Sequence, residues 1–402
     1  MRTPPLRGTT IQTIQMTESL RTDDVFSRSP PMLPGTTLPL PGSLARLVAV
    51  FGPLFTAPSF RTFCGLACGF LAQTGSRTVC GMLAGAGLSQ ACRGPVAGLA
   101  RAWPHDRARR FFSRARWSAD ELGLAAARLV VTLLVPAGEQ VTVAIDDTLF
   151  RRRGKKTWAA SWFHDGSAPG PAKTGYGNNW VIAAIVVKLP TVRRPVAIPV
   201  LAKLVIKGTN SASRLWLARR MTGLLAGALP DRGIHVVADS AYAGGELKKL
   251  PARVTWTTRL RKDAALYGLP PARTGKRGRP RTKGDRLPSL AKLAVTTAFT
   301  QVTVTRYGKT AAISAAALTC LWPSVFGTRP VTVGRRHTTP DVPAGRTLDP
   351  AAAGAADHEV HDSSLLTFVS AVRARISAGG GRDAPAHRGF TCATFGFAAT
   401  MR

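Results

Sequence analysis

Three aspartates stand where strand-forming sequence would not ordinarily place an acid. Val141-Thr-Val-Ala-Ile145 is an apolar, β-branched run that stops on Asp146 and Asp147, with Thr148 next. Ile234-His-Val-Val-Ala238 stops on Asp239, followed by Ser240, Ala241 and Tyr242. Asp is depleted in strands, so a buried strand that ends on one delivers it to the edge of the core. Two such strands side by side gather carboxylate oxygens, the donors that hard divalent cations take and that phosphodiester chemistry uses. Neighbours on a strand point to opposite faces, and the sequence leaves open which of Asp146 and Asp147 is the ligand. Singly, each acid has a commoner explanation, a helix cap or turn for Asp239 and a loop pair for Asp146 and Asp147. Their recurrence in one strongly basic chain sets them apart.

The chain has 402 residues with 55 Lys+Arg against 21 Asp+Glu, a formal net charge of +34. A self-repelling surface of that kind implies a polyanionic partner. Double-stranded DNA is favoured over a membrane surface, because the basic residues are spread along the chain rather than gathered on one amphipathic helix. No apolar run approaches the roughly 18 residues of a membrane span, and Met1 to Leu20 has no apolar secretory core. These features predict a cytoplasmic, nucleoid-associated protein. The cysteines at 64, 68, 80, 92, 320 and 392 lack the paired spacing of a zinc site and read as reduced packing residues.

The elements that must position the acids follow from the patterning. Residues 1–42 are rich in Pro, Thr and Arg without periodicity and read as a disordered leader. Residues 43–136 carry helical spacing. Within them, Arg107, Arg110 and Arg114 interleave with Phe111, Phe112 and Trp117, which fits phosphate contact by a helix or a solvated face over an aromatic core. Ser118-Ala-Asp120-Glu121 is a capping box opening a helix through Leu134. Residues 137–333 read as mixed α/β. Strands are expected at 141–146, 157–162, 180–188, 197–206, 235–239, 254–259, 302–306 and 311–318, turns at 164–166 and 175–179, and a helix capped by Asn210. Arg259, Arg261 and Lys262 follow a strand and suit phosphate contact. Residues 264–290 form a basic insertion without core-forming residues. Its centre, Arg277-Gly278-Arg279-Pro280, resembles a minor-groove AT-hook.

Taken in order, Ile145-Asp-Asp147-Thr148, Trp162-Phe-His164-Asp165-Gly166, Gly175-Tyr-Gly177-Asn-Asn179-Trp180 and Val237-Ala-Asp239-Ser-Ala-Tyr242 resemble the DDE transposases of bacterial insertion sequences. The helical block with His105-Asp106-Arg107 and Arg110-Phe111-Phe112 is similar to the region before the catalytic domain in that family. The resemblance implies a ribonuclease-H-like mixed-sheet core preceded by an all-helical domain. It also implies Mg²⁺ or Mn²⁺ held by three acids, DNA ends and target DNA as partners, and a homodimer when active. Asp146 matches the first acid, with Asp147 the runner-up, and Asp239 matches the second.

The third acid of the family is a Glu on a late helix, preceded by Tyr, Arg and Trp. Beyond Glu246 the chain has a single glutamate, Glu359, in Asp357-His-Glu359-Val-His-Asp362, without those neighbours. From Gly334 on, Leu, Ile, Val and Phe make up 12 of 69 residues, below the ~20% at which disorder is expected. Residues 334–402 therefore read as an aberrant, disordered tail. Two activities follow. One is metal-dependent cleavage and strand transfer at insertion-sequence ends. The other is DNA binding alone, by a truncated or frameshifted remnant.

Overall fold

The computed structural model describes residues 42–88 and 103–337, apart from 76–77, 155, 166–167, 169–170, 193, 210–212, 262, 273–274, 276–277 and 307–308, together with 398–401. The expected leader, except for Gly42, and the greater part of the expected tail lie outside the described residues. The chain divides into two compact units, residues 1–116 and 117–402.

The first unit is helical. It contains α1 (Gly42–Ala49), α2 (Ala57–Ala72), α3 (Val79–Gly85) and α4 (His105–Ser113). Its centre is aromatic: Phe55 stacks on Phe63 at 4.8 Å and on Phe111 at 6.0 Å, and Phe51 meets Phe63 edge-on. Glycine at 69 is required by the approach of α2 to α3, since a Cβ there would lie 1.7 Å from the Met82 carbonyl oxygen. Cys64 is buried here, and burial pushes its thiol up to about 11. Cys80, expected to be buried, is exposed.

The second unit is built on one mixed sheet. Strands β1 (Val141–Arg151), β2 (Ser161–His164), β3 (Thr174–Val187) and β4 (Val196–Leu204) come first. Helix α6 (Arg214–Ala228) then crosses to β5 (Ile234–Ala238), which is followed by β6 (Val254–Arg259). β3 is antiparallel to β1, and β2 and β4 lie end to end along its other edge. β5 and β6 run parallel to β1. Antiparallel strands followed by parallel ones across a helical crossover is the ribonuclease-H-like order.

Beyond β6 the sheet continues through β10 (Ala398–Met401), β9 (Pro330–His337), β8 (Lys309–Leu321) and β7 (Thr300–Arg306), all antiparallel. The expected tail is thus in part sheet: β9 passes Val333, and β10 is inserted between β6 and β9. A four-residue strand such as Ala398-Ala-Thr-Met401 is too short for periodicity to reveal.

One face of the sheet is covered by helices. α5 (Ala119–Leu134) packs on β4 and against α6. Ser118 caps α5 by accepting from the Glu121 amide, as its capping box predicts. The buried Ala127 and Val131 of α5 join the core of Val143, Ile145, Val181 and Val236. The sequence boundary at 136/137 therefore moves to 116/117: the apolar stripe of this helix completes the sheet's core. A Cβ at Gly123 would lie 2.1 Å from the Val200 carbonyl oxygen and 2.8 Å from Leu201 Cδ2. Gly123→Ala is expected to cost about 1–3 kcal/mol in urea denaturation. Gly223→Ala, on α6 with nothing within 4 Å of the added methyl, is expected to be neutral or stabilising by up to ~1 kcal/mol.

Three local expectations are corrected. The cap of α6 is Ser213, whose hydroxyl accepts from the Trp216 amide, while Asn210 lies outside the described residues. The second strand begins at Ser161 rather than Thr157, since residues 157–160 form a turn. Gly175–Asn179 is strand rather than turn. A Cβ at Gly177 would lie 2.2 Å from the Phe150 carbonyl oxygen, so glycine here marks close strand packing and not a reversal. The basic insertion is also anchored to the core. Leu266 and Leu290 are buried, and the Tyr267 backbone exchanges hydrogen bonds with Leu321.

Candidate active site

Parallel pairing sets the middle of β1 beside the end of β5. In register, Val141 meets Ile234, Val143 meets Val236 and Ile145 meets Ala238, all of them buried under the helices. Extended by one residue, that register sets Asp146 beside Asp239 on the opposite face. Both are exposed. The Asp146 carboxylate accepts from the Asp147 amide at 2.9 Å. Asp239 caps the following 3₁₀ turn, Ser240–Tyr242, with its Oδ1 accepting from the Ala241 amide. Thr258 fixes the strand end by donating its hydroxyl to the Asp239 carbonyl at 2.7 Å.

Asp147 points to the helix-covered face and is engaged there. Arg214, the first residue of α6, reaches its Oδ2 at 3.0 Å. Asn179 Nδ2 donates to the same oxygen at 2.9 Å, and the Tyr242 hydroxyl donates to Oδ1 at 3.2 Å. Tyr242 is 1% exposed. Burial, and then the nearby charges of Asp147 and Asp146, raise its pKa far above the ordinary phenol value, so it stays a neutral donor. Together these contacts tie α6, β3 and the β5 turn to β1 and fix the backbone that carries Asp146. Arg214→Met leaves a half-buried carboxylate without its cation. It is expected to lower stability by about 1–3 kcal/mol in urea denaturation.

Arg214 and Asn179 were not legible as site residues. An arginine opening a helix has no distinguishing pattern, and the Gly-Tyr-Gly-Asn-Asn setting of Asn179 suggests a turn. Tyr242 stood inside a recognised motif, but its role as a donor needed the fold. Glu246 is paired with Arg219 at 2.8 Å and with Lys249 at 3.8 Å. Among the described residues no group of three or more His, Cys, Asp and Glu could hold a metal ion. Glu359 lies outside the described residues.

The expected DNA-contacting cations divide by setting. Arg107 turns inward. Its guanidinium stacks 3.7 Å from the Trp103 ring centroid, and its Nε donates to Thr62 at 3.1 Å. Burial, and then the charge of Arg61, lower its pKa. Half-buried, it packs against the helical unit. Arg110 and Arg114 are exposed, Arg110 only 3.9 Å from Asp106. Arg259 ends β6 half-buried, and Arg261 is exposed and paired with Asp263 at 3.2 Å. Arg279 is exposed beside Gly278, whose φ of +128° favours glycine. Lys262 and Arg277 lie outside the described residues.

A ribonuclease-H-like sheet that carries one carboxylate in the middle of β1 and another just past the end of the neighbouring parallel β5 is the frame of a phosphodiester-cleaving enzyme. The family model for DDE superfamily endonucleases matches residues 50–312, and the chain belongs to that family. No curated protein matches the chain. The family generally acts on DNA with divalent metal ions. Among the described residues no helix is long and apolar enough to cross a membrane.

Proposed function

We propose that the protein is a DDE-type DNA transposase that cleaves and joins DNA at insertion-sequence ends. The observation that supports this reading is the register of β1 and β5, in which the paired Ile145 and Ala238 immediately precede the exposed Asp146 and Asp239. Two adjacent, exposed carboxylates are an oxygen donor pair suited to Mg²⁺ or Mn²⁺. A divalent ion held there supplies charge stabilisation to the phosphoryl oxygens and an activated water or 3′-hydroxyl. Asp146 and Asp239 are the ligands in this reading. Asp147 is the positioning residue, held by Arg214, Asn179 and Tyr242. Exposed Arg110, Arg114, Arg261 and Arg279 neutralise backbone phosphates, and a homodimer holds paired ends.

A second reading is DNA binding without cleavage. It is favoured by the lack, among the described residues, of any group of three or more His, Cys, Asp and Glu that could hold a metal ion, and by the apolar-poor composition from Gly334 on. The test is a pair of assays on full-length protein with supercoiled DNA carrying the element's ends. Nicking in Mg²⁺ or Mn²⁺ that EDTA stops supports the first reading. Binding that weakens steeply between 50 and 200 mM salt, with no nicking in either metal, supports the second.

A further inference from the structure

The sheet face that carries Asp146 has a second feature, an exposed aromatic platform framed by cations. Along β3, Ile182 is the register partner of Asp146, and Trp180, Asn178 and Tyr176 follow on the same face. Tyr176 is in turn the register partner of Trp162 on β2, and their rings meet edge-to-face at 5.7 Å. Trp162 is 63% exposed, and Trp158, in the turn before β2, is 73% exposed. Large aromatic side chains rarely stand so far out of a monomer's surface without a partner.

The turn that holds Trp158 is pinned rather than loose. Asn178, 6% exposed, donates Nδ2 to the Trp158 carbonyl at 3.0 Å and accepts from Arg152 Nε at 2.9 Å. Ala159 sits at φ 56°, a left-handed conformation uncommon for a non-glycine residue. Lys207 donates to the Trp162 carbonyl at 2.7 Å. Such a backbone cost persists where the surrounding structure over-determines it, and it clusters at ligand-binding segments.

Charge identifies the occupant. From Thr148 to His164 the chain contains Arg151, Arg152, Arg153, Lys155 and Lys156 and no acid. Arg152, Arg153, Lys156 and Lys207 are exposed. Arg151 is paired with Asp165 at 2.8 Å. Aromatic faces interleaved with cations are the means by which proteins hold unpaired bases and their phosphates. We propose that Trp162 and Trp158 stack unpaired nucleotides of the DNA, with Arg152, Arg153 and Lys207 on the adjoining phosphates. The platform thereby holds a locally opened strand on the face that leads to Asp146. Only this last placement rests on the nuclease reading. Base stacking itself needs no metal.

The test uses full-length protein in EDTA, so that loss of cleavage cannot masquerade as loss of stacking. Two fluorescein-labelled DNAs of one length are titrated, a fully paired duplex and the same duplex with a short unpaired bubble. The wild type is expected to prefer the bubbled DNA. Trp162→Ala with Trp158→Ala is expected to weaken bubbled-DNA binding by ~10-fold or more while changing duplex binding less than twofold. Trp162→Phe is expected to restore part of the difference, since it keeps a stacking face. Equal loss on both DNAs, no loss on either, or a shifted sedimentation coefficient with equal loss, which would assign the patch to a second copy of the chain, overturns the proposal. Both tryptophans are exposed, so an unchanged thermal melt is expected. If the double variant instead misfolds, Trp158→Ala alone, with Trp162 retained, carries the same comparison.

Discussion

Asp146→Asn is expected to leave DNA binding and folding intact and to remove cleavage, whereas Asp147→Asn is expected to act first on the fold. The two residues are adjacent in sequence and carry the same group, so the contrast depends wholly on where β1 points them. Asp146 is exposed on the face it shares with Asp239. Its amide analogue keeps size and shape but loses the negative charge that binds a divalent ion. Residues one shell removed from a metal typically cost 10–100-fold when changed, and a ligand is expected to cost more than ~100-fold in nicking rate. Asp147 instead meets Arg214, Asn179 and Tyr242. Its amide analogue leaves the Arg214 charge uncompensated and gives the Asn179 donor a mismatched partner. The expected loss is about 1–3 kcal/mol in urea denaturation, with a smaller effect on nicking per folded molecule. Single-turnover nicking and denaturation on the same preparations separate the two. Equal loss of activity at constant stability would assign Asp147 to the chemistry.

The second large effect lies in the core. Trp256 on β6 is fully buried, among the largest side chains that are, and belongs to the cluster that includes Val236, Leu247 and Phe326. Trp256→Ala is expected to cost about 3–5 kcal/mol, because the transfer term is joined by a cavity that packed neighbours cannot fill. β6 carries Thr258, which holds the Asp239 carbonyl, so the loss is expected to reach the acid pair as well. The measurement is urea denaturation followed by far-ultraviolet circular dichroism, with Trp256→Phe as the milder companion. A loss below ~1 kcal/mol would mean that this part of the sheet is not packed as described.

What the sequence made legible was the two apolar strands that carry the acids. Alternation and β-branching mark 141–146 and 235–239, and β5 does end just before Asp239, but β1 runs on past Asp146 to Arg151 because its pairing with β3 continues there. Which carboxylate faces which way was not legible, because strand parity has no absolute sign until a sheet sets one face against helices. The turn assigned to Gly175–Asn179 failed for a related reason. Glycine permits both reversal and close strand approach, and only the nearness of Phe150 distinguishes them. The helix Ala119–Leu134 was found with its cap but placed with the wrong unit, since an apolar stripe names no partner. Strands as short as Ala398–Met401 carry too few residues to show a period. The arginines of 107–114 illustrate the limit for charge. Arg107 lies on an aromatic ring and Arg110 faces water, a difference set by helix rotation against Trp103 and Thr62.

The central claim is that Asp146 and Asp239 form a metal-dependent DNA-cleaving pair. Nicking of supercoiled DNA carrying the element's ends, in Mg²⁺ or Mn²⁺, with Asp239→Ala alongside, tests it most directly. The account predicts metal-dependent nicking by the wild type that Asp239→Ala abolishes while DNA binding persists. Nicking that survives the substitution, or no nicking by the wild type in either metal while it still binds DNA, would contradict it.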